Sequence, residues 1–226
     1  MLLGVRPLVF LARLLVVFAL TYLFWENLAP AYTHLLGALT QATIRFTELF
    51  GTDATRAATT VLVRGNGIFY THRLFPGARP PGIPADWVQA NMVLLIPLML
   101  ATPAPSLRAR LLRLGLALAL ALMLQVLGLV VTIKSTWASQ LGSFSALHYG
   151  WLQRKLYQFL DAFFQSFDTQ LFPFAIWAGI HFRQLLAPLR SIASGSAAEA
   201  ATAASSRVPK PTTKAKRRRE AKQHRS

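Results

Sequence analysis

Along this chain, long uncharged apolar runs alternate with clusters of charge, a pattern that separates residues for lipid from residues for water. Two runs, residues 8–28 and 111–133, are long enough to cross roughly 30 Å of hydrocarbon at about 1.5 Å of rise per residue. A third, 87–103, is shorter and carries Pro97, so it must tilt or extend into its flanks. The fourth, 169–187, is rich in aromatic residues and has Pro173 near its start. The pattern predicts an all-α polytopic membrane protein. It has about four transmembrane helices, amphipathic helices outside them and a small exported β-hairpin. An Ala29-Pro30-Ala31 string resembles a small-residue cleavage site. The apolar run before it exceeds the roughly 7–15 residues of a signal core and carries Arg13, so an uncleaved helix is expected.

Between the runs lie two segments with structure of their own, 29–86 and 134–168. In the first, Leu35, Leu39, Ala42, Phe46 and Leu49 recur at helical spacing, with His34, Gln41, Arg45 and Glu48 on the other side. Two β-prone runs, Thr59 to Val63 and Ile68 to Thr71, flank Arg64-Gly65-Asn66-Gly67 and predict the hairpin. A stiff loop through Pro76, Pro80, Pro81 and Pro84 then leads to Asp86-Trp87. In the second segment, Leu152, Leu156, Phe159, Leu160, Phe163 and Phe167 form one helical face; Arg154, Gln158, Asp161, Gln165 and Asp168 form the other. Such a face either rests in the headgroup region or docks another membrane protein. Leu152, Leu156, Phe159, Phe163 and Phe167 are accordingly the candidate partner-binding residues.

Charge orients these elements. The net charge is +16 although 54% of the residues are apolar. Arg6 and Arg13 stand at the first run, and Arg108, Arg110 and Arg113 lie between the second and third. Arg183, Arg190 and Lys214 to Arg219 follow the fourth. Four crossings put all three clusters on one side, which the positive-inside rule makes cytoplasmic, with both termini there. Six of the eight acidic residues then fall on the exported side, together with 29–86 and 134–168. Residues 1–190 therefore form the transmembrane domain. Residues 191–226, rich in Ala, Ser and Thr and then basic, form a disordered cytoplasmic tail attracted to anionic lipid. The tail has no aromatic residues for base stacking, which argues against nucleic acid as a partner.

Catalytic signatures are sparse. The chain has no cysteine, which excludes thiol catalysis, thiolate metal sites and disulfides. No HExxH, phosphate-binding loop, GxSxG or dinucleotide fingerprint occurs, and the histidines have no paired spacing, so no metal or cofactor is expected. Within the runs, Asn91 and Gln125 are expected to make hydrogen bonds between helices. Gly115, Ala117, Ala119 and Ala121 offer a small-residue surface for close helix packing. Asp86 and Asp168 each precede an apolar helix. Held together they would share a proton, as aspartyl hydrolases require; apart, each simply favours a helix N-terminus.

The layout also resembles a known family, the exosortases. The resemblance is carried by residues 13–50, by the segment ending at Asp86-Trp87, and by 92–103 with its Leu-Ala-Thr-Pro-Ala-Pro string from Leu100. The Arg-rich turn into 111–133 and the final Phe172-Pro173-Phe174 helix add to it. Exosortases are bacterial inner-membrane transpeptidases that process proteins bearing a C-terminal sorting signal, using a membrane-embedded Cys, Arg and His. Placed on that pattern, the cysteine position falls near Asp86 and the histidine near Asp168. Gly128 stands where the family has its arginine, in Gln125-Val126-Leu127-Gly128. With no cysteine, this chain alone cannot carry out thiol transpeptidation. Its size and missing triad are similar to the small family of exosortase-H-associated membrane proteins. The resemblance implies a non-catalytic accessory protein of the bacterial inner membrane whose partner is an exosortase-type transpeptidase. The alternatives are a membrane-embedded hydrolase or transferase using Asp86 and Asp168, and a component of envelope polysaccharide or lipid export.

Overall fold

The computed structural model describes residues 7–49, 58–73, 80–167 and 171–182. The fold is mostly helical with one small three-stranded sheet. Chain order is α1 (Pro7–Glu48), β1 (Thr59–Arg64), β2 (Gly67–His72), β3 (Gly82–Pro84), α2 (Ala85–Ala101), α3 (Leu107–Ser139), α4 (Ser143–His148) and α5 (Trp151–Phe167). A short apolar helix α6, Leu171–Phe182, follows. Leu2–His181 form one compact unit; the second unit comprises Met1 and Phe182–Ser226, nearly all of it, including the expected tail 191–226, outside the described residues.

Two of the helices, α1 and α3, are long and apolar enough to cross a membrane, whereas α2 and α6 are shorter apolar helices. In α1 none of the most apolar stretch is buried, and Leu11, Leu15, Phe18, Leu23 and Phe24 are all exposed. The first run does not stop near residue 28 but continues as one helix through Pro30 to Glu48. Ala29-Pro30-Ala31 therefore lies mid-helix, and the Ala29 carbonyl accepts from Thr33 Oγ1 at 2.8 Å and from the Gln89 side chain at 3.3 Å.

The upper part of α1 packs with a different face from the one its apolar spacing suggests. Thr33, Leu36, Gly37, Thr40, Ile44 and Glu48 are buried, whereas Leu35, Phe46 and Leu49 are exposed. The reason is the sheet. A Cβ on Gly37 would fall 2.4 Å from Val63, so glycine permits the strand to approach. Gln41 donates to the Thr59 carbonyl at 3.3 Å and accepts from Val61 N–H, adding its amide to the ladder of β1.

The hairpin forms as expected: Arg64 pairs with Gly67, which leaves Gly65 and Asn66 as the loop. Gly65 has φ 56°, a left-handed conformation that glycine adopts without strain. The proline-rich stretch expected to be loop contributes a third strand, since β3 pairs antiparallel with β2 through Ile68 and Ile83. α2 starts directly from β3 and ends at Thr102, which Pro103 holds in an extended conformation. Ser106 then caps α3 by accepting from Ala109 N–H at 3.1 Å.

Two cores result. One joins α1, the sheet, α3 and α4 around Leu36, Ile44, Ile68, Ile133 and Trp137. The other joins α2, α3 and α6 around Met92, Leu95, Met99, Ala117, Ala121 and Ile176. Of the four small residues expected to form a packing surface on α3, Ala117 and Ala121, four apart, are buried; Gly115 and Ala119 face outward. A polar layer links the helices: Tyr32 of α1 donates to Gln125 of α3, and Gln125 Nε2 donates to the Val88 carbonyl of α2 at 2.6 Å. Trp25 Nε1 donates to Gln89 Oε1 at 3.3 Å, and Gln89 donates to Thr33.

Above this layer, Lys134 Nζ meets Glu48 Oε1 at 3.0 Å, with side chains 11% and 2% exposed. Glu48 also accepts from Thr59 Oγ1 at 2.6 Å and from Thr59 N–H at 3.3 Å, while Trp137 Nε1 donates to Thr59 Oγ1 at 3.1 Å. Removing one partner of a buried pair strands the other charge, at a cost of about 3–5 kcal/mol. Lys134→Met should therefore lower thermal stability sharply in detergent. Glu48→Gln with Lys134→Met should recover much of the loss, because the amide oxygen still accepts from Thr59. A single variant as stable as the double one would show that the pair contributes little.

Candidate functional site

Of the two carboxylates singled out in the sequence, Asp86 lies among the described residues and Asp168 does not. Asp86 lies in the first turn of α2, exposed, and its Oδ1 accepts from Asn66 Nδ2 at the hairpin tip. It does not cap the helix: the N-cap position is Pro84, with no side-chain cap. Its charge favours the helix N-terminus, and its hydrogen bond ties the hairpin to α2. Asp168 lies outside the described residues, as does the side chain of Phe167.

The other expected face is present and open. α5 is antiparallel to α3: Thr132 Oγ1 donates to Asp161 Oδ1 at 2.7 Å, and a Cβ on Gly128 would lie 3.1 Å from Phe164. Tyr157, Leu160, Asp161 and Phe164 form the packed side, so Asp161 belongs to the contact with α3 and not to a solvated polar face. Leu152, Leu156, Phe159 and Phe163 point outward, Leu152 being 72% and Phe159 66% exposed. Because Gly128 and Thr132 belong to the apolar run of α3, the end of α5 lies beside that run.

Between these elements is a cavity of about 290 Å³, walled by β3, by Val88 of α2, by Gln125, Gly128, Leu129 and Thr132 of α3, and by Phe164 and Gln165 of α5. Its lining is mainly apolar with a few amide and hydroxyl groups. No sequence motif marked it. The available signal was Gly128 one turn after Gln125 in an otherwise bulky run.

The Glu48–Lys134 pair was also missed, because each residue reads alone as the polar end of a helix. Around it, His72 is buried with its ring edge-on to Trp137 and Phe144, centroids 5.1 and 5.0 Å away. Phe144 stacks on His148 at 4.3 Å, and Tyr70 Oη shares a hydrogen bond with Thr136 Oγ1 at 3.0 Å. Burial holds the His72 imidazole below its usual value; the Glu48 carboxylate opposes this, and Lys134 and His148 reinforce it. Burial also pushes the Tyr149 phenol up to about 12. Among the described residues no group of three or more His, Cys, Asp or Glu side chains is placed to hold a metal ion.

Comparison with protein-family models, with curated proteins and with solved structures finds no match to this chain.

The depressed His72 value has a signed consequence. The unfolded chain takes up a proton near 6.5, and the folded protein does so only at lower pH. Stability is therefore full above about pH 6.5 and falls as the pH drops through the folded value. The thermal midpoint of the detergent-solubilised protein should decline between about pH 7 and about pH 5, and His72→Gln should flatten the decline whatever its own midpoint. An unchanged slope in that variant would assign the acid sensitivity to other groups.

Proposed function

We propose that this chain is a non-catalytic accessory protein of the bacterial inner membrane that crosses the bilayer four times and works beside an exosortase-type sorting transpeptidase. The observation that carries the reading is the open apolar face of α5. Leu152, Leu156, Phe159 and Phe163 are exposed on one face of the helix. An exposed apolar face of this kind marks an interaction site or a lipid boundary. Large aromatic side chains within it are the residues that anchor protein partners. The exosortase-like layout of residues 13–186 names the kind of partner, and the chain's lack of cysteine supports an accessory over a thiol-transpeptidase role. Asp86, the carboxylate nearest the family's cysteine position, is engaged with Asn66.

The four crossings use α1, α2, α3 and the segment containing α6, with the basic clusters in the cytoplasm and the sheet exported. Reporter fusions after Ala104 and after Ser191 should then report cytoplasm, and fusions within residues 77–82 the exported side. A cytoplasmic signal from 77–82 would overturn the four-crossing topology.

Phe159→Ala and Phe163→Ala together should release the transpeptidase on co-purification while the protein stays inserted, since each hot-spot aromatic can contribute about 2 kcal/mol or more. If a photoreactive residue at position 163 gives adducts only with lipid, and the double variant still co-purifies with the enzyme, α5 is not the docking face.

A further inference from the structure

We propose that the cavity beside β3 is a binding site for an extended polypeptide segment, which adds to the free edge of β3 and places one apolar side chain between α3 and α5. This site is separate from the α5 face and does not depend on which enzyme that face meets. The sheet order is β1-β2-β3, so β3 is an edge among the described residues. Tyr70 N–H donates to the Pro81 carbonyl and Ala85 N–H to the Asn66 carbonyl, each at 3.1 Å. An antiparallel ladder alternates, so Pro81, Ile83 and Ala85 turn their main-chain groups towards β2. The N–H and C=O of Gly82 and the C=O of Pro84 turn the other way. All three residues of β3 border the cavity.

Gly128 stands in the wall of the cavity behind that edge and lets the Phe164 ring close on α3, since a Cβ there would stand 3.1 Å from that ring. Val88, Leu129 and Phe164, all buried, give the cavity apolar walls, and its volume of about 290 Å³ suits a large aliphatic or aromatic side chain. Gly82 and Gln165, both exposed, stand at its mouth.

The polar groups decide between a peptide and a hydrocarbon. Gln125 is 2% exposed and makes two hydrogen bonds, accepting from Tyr32 and donating to the Val88 carbonyl. A primary amide has two N–H donors and two acceptor sites, so one of each remains on a residue that lines the cavity. An acyl chain would leave the remaining Gln125 groups without partners in a buried site, which is costly, and would make no use of the Gly82 main chain at the mouth. An extended peptide supplies a main-chain donor and acceptor for Gly82 and a carbonyl or amide for Gln125. Main-chain pairing to a strand edge with a side chain in an adjoining pocket is a recurring mode of peptide recognition.

The test uses full-length protein in nanodiscs and a fluorine-labelled acetyl-Ala-Leu-Ala-amide, with the label on the leucine side chain. The expected result is saturable binding below about 1 mM, roughly tenfold weaker when the backbone amides are N-methylated, and not displaced by 1-decanol. Gly128→Leu, which displaces Phe164 from the cavity wall, and Gln165→Trp, which obstructs its mouth, should each weaken binding by roughly tenfold. Gln165 is exposed, so the second variant keeps the test intact if the first fails to fold. The proposal is overturned by any of four results: no saturable binding, equal binding of the N-methylated peptide, displacement by decanol, or unchanged binding in Gln165→Trp.

Discussion

The arrangement of this fold depends on one desolvated ion pair. Glu48 ends α1, and Lys134 lies in α3 one residue beyond the apolar run. Taking both charges out of water costs several kcal/mol per ion, and a bare pair returns that only with good geometry and further hydrogen bonds. Here the carboxylate accepts from Lys134 and twice from Thr59, whose hydroxyl accepts in turn from Trp137. Thr59 is the first residue of β1, so the same carboxylate that joins two helices also sets where the hairpin begins. β2 then lays Tyr70 and His72 against Trp137, β3 pairs with β2, and α2 starts where β3 stops. Displacing Glu48 would disturb every one of these registers.

Much of this was legible as pattern and little of it as orientation. Long uncharged runs identify α1 and α3 because nothing else in the chain needs so many consecutive apolar residues. The Asn-Gly region marks the hairpin through the rarity of residues that accept positive φ. The side on which a helix is buried does not follow from apolar spacing in the upper part of α1. There the rule that apolar side chains define the inner face fails, because the neighbour is a backbone ladder and not a layer of side chains. Such a neighbour selects Gly37 for closeness and Gln41 for its amide, leaving Leu35, Phe46 and Leu49 outside. The third strand was hidden for a related reason. Pro81 and Pro84 argue against a central strand, but an edge strand whose prolines need donate nothing to the ladder accepts them.

The functional residues divide along the same line. The outward face of α5 could be listed from spacing alone, since amphipathicity is local. Its packed face could not, because Asp161 is inside only through Thr132, a residue 29 positions away. Asp86 was noticeable as a charge before a helix, but its bond to Asn66 depends on the hairpin folding back to α2. The cavity is the least local feature of all, as four separate elements supply its walls. A glycine in a helix reports weakly on what it admits, and Gly128 became informative only once Phe164 stood opposite it.

These two surfaces share one helix, which limits how independent they can be. Phe163 faces outward from α5 and Phe164, the next residue, forms a wall of the cavity. Their rings are 5.9 Å apart and both contact Phe172 of α6. A protein seated on Leu156, Phe159 and Phe163 would bear on the same turn of helix that closes the cavity. A side chain entering the cavity would bear on Phe164 from the other side. If either contact favours one position of α5 over another, it biases the second contact by the same free energy, since linkage between two binding events is reciprocal. The Thr132–Asp161 hydrogen bond and the Gly128–Phe164 contact are the two points that hold α5 against α3 at this level. The stiffness of that pair of contacts, more than the distance between the surfaces, sets how strongly one would respond to the other.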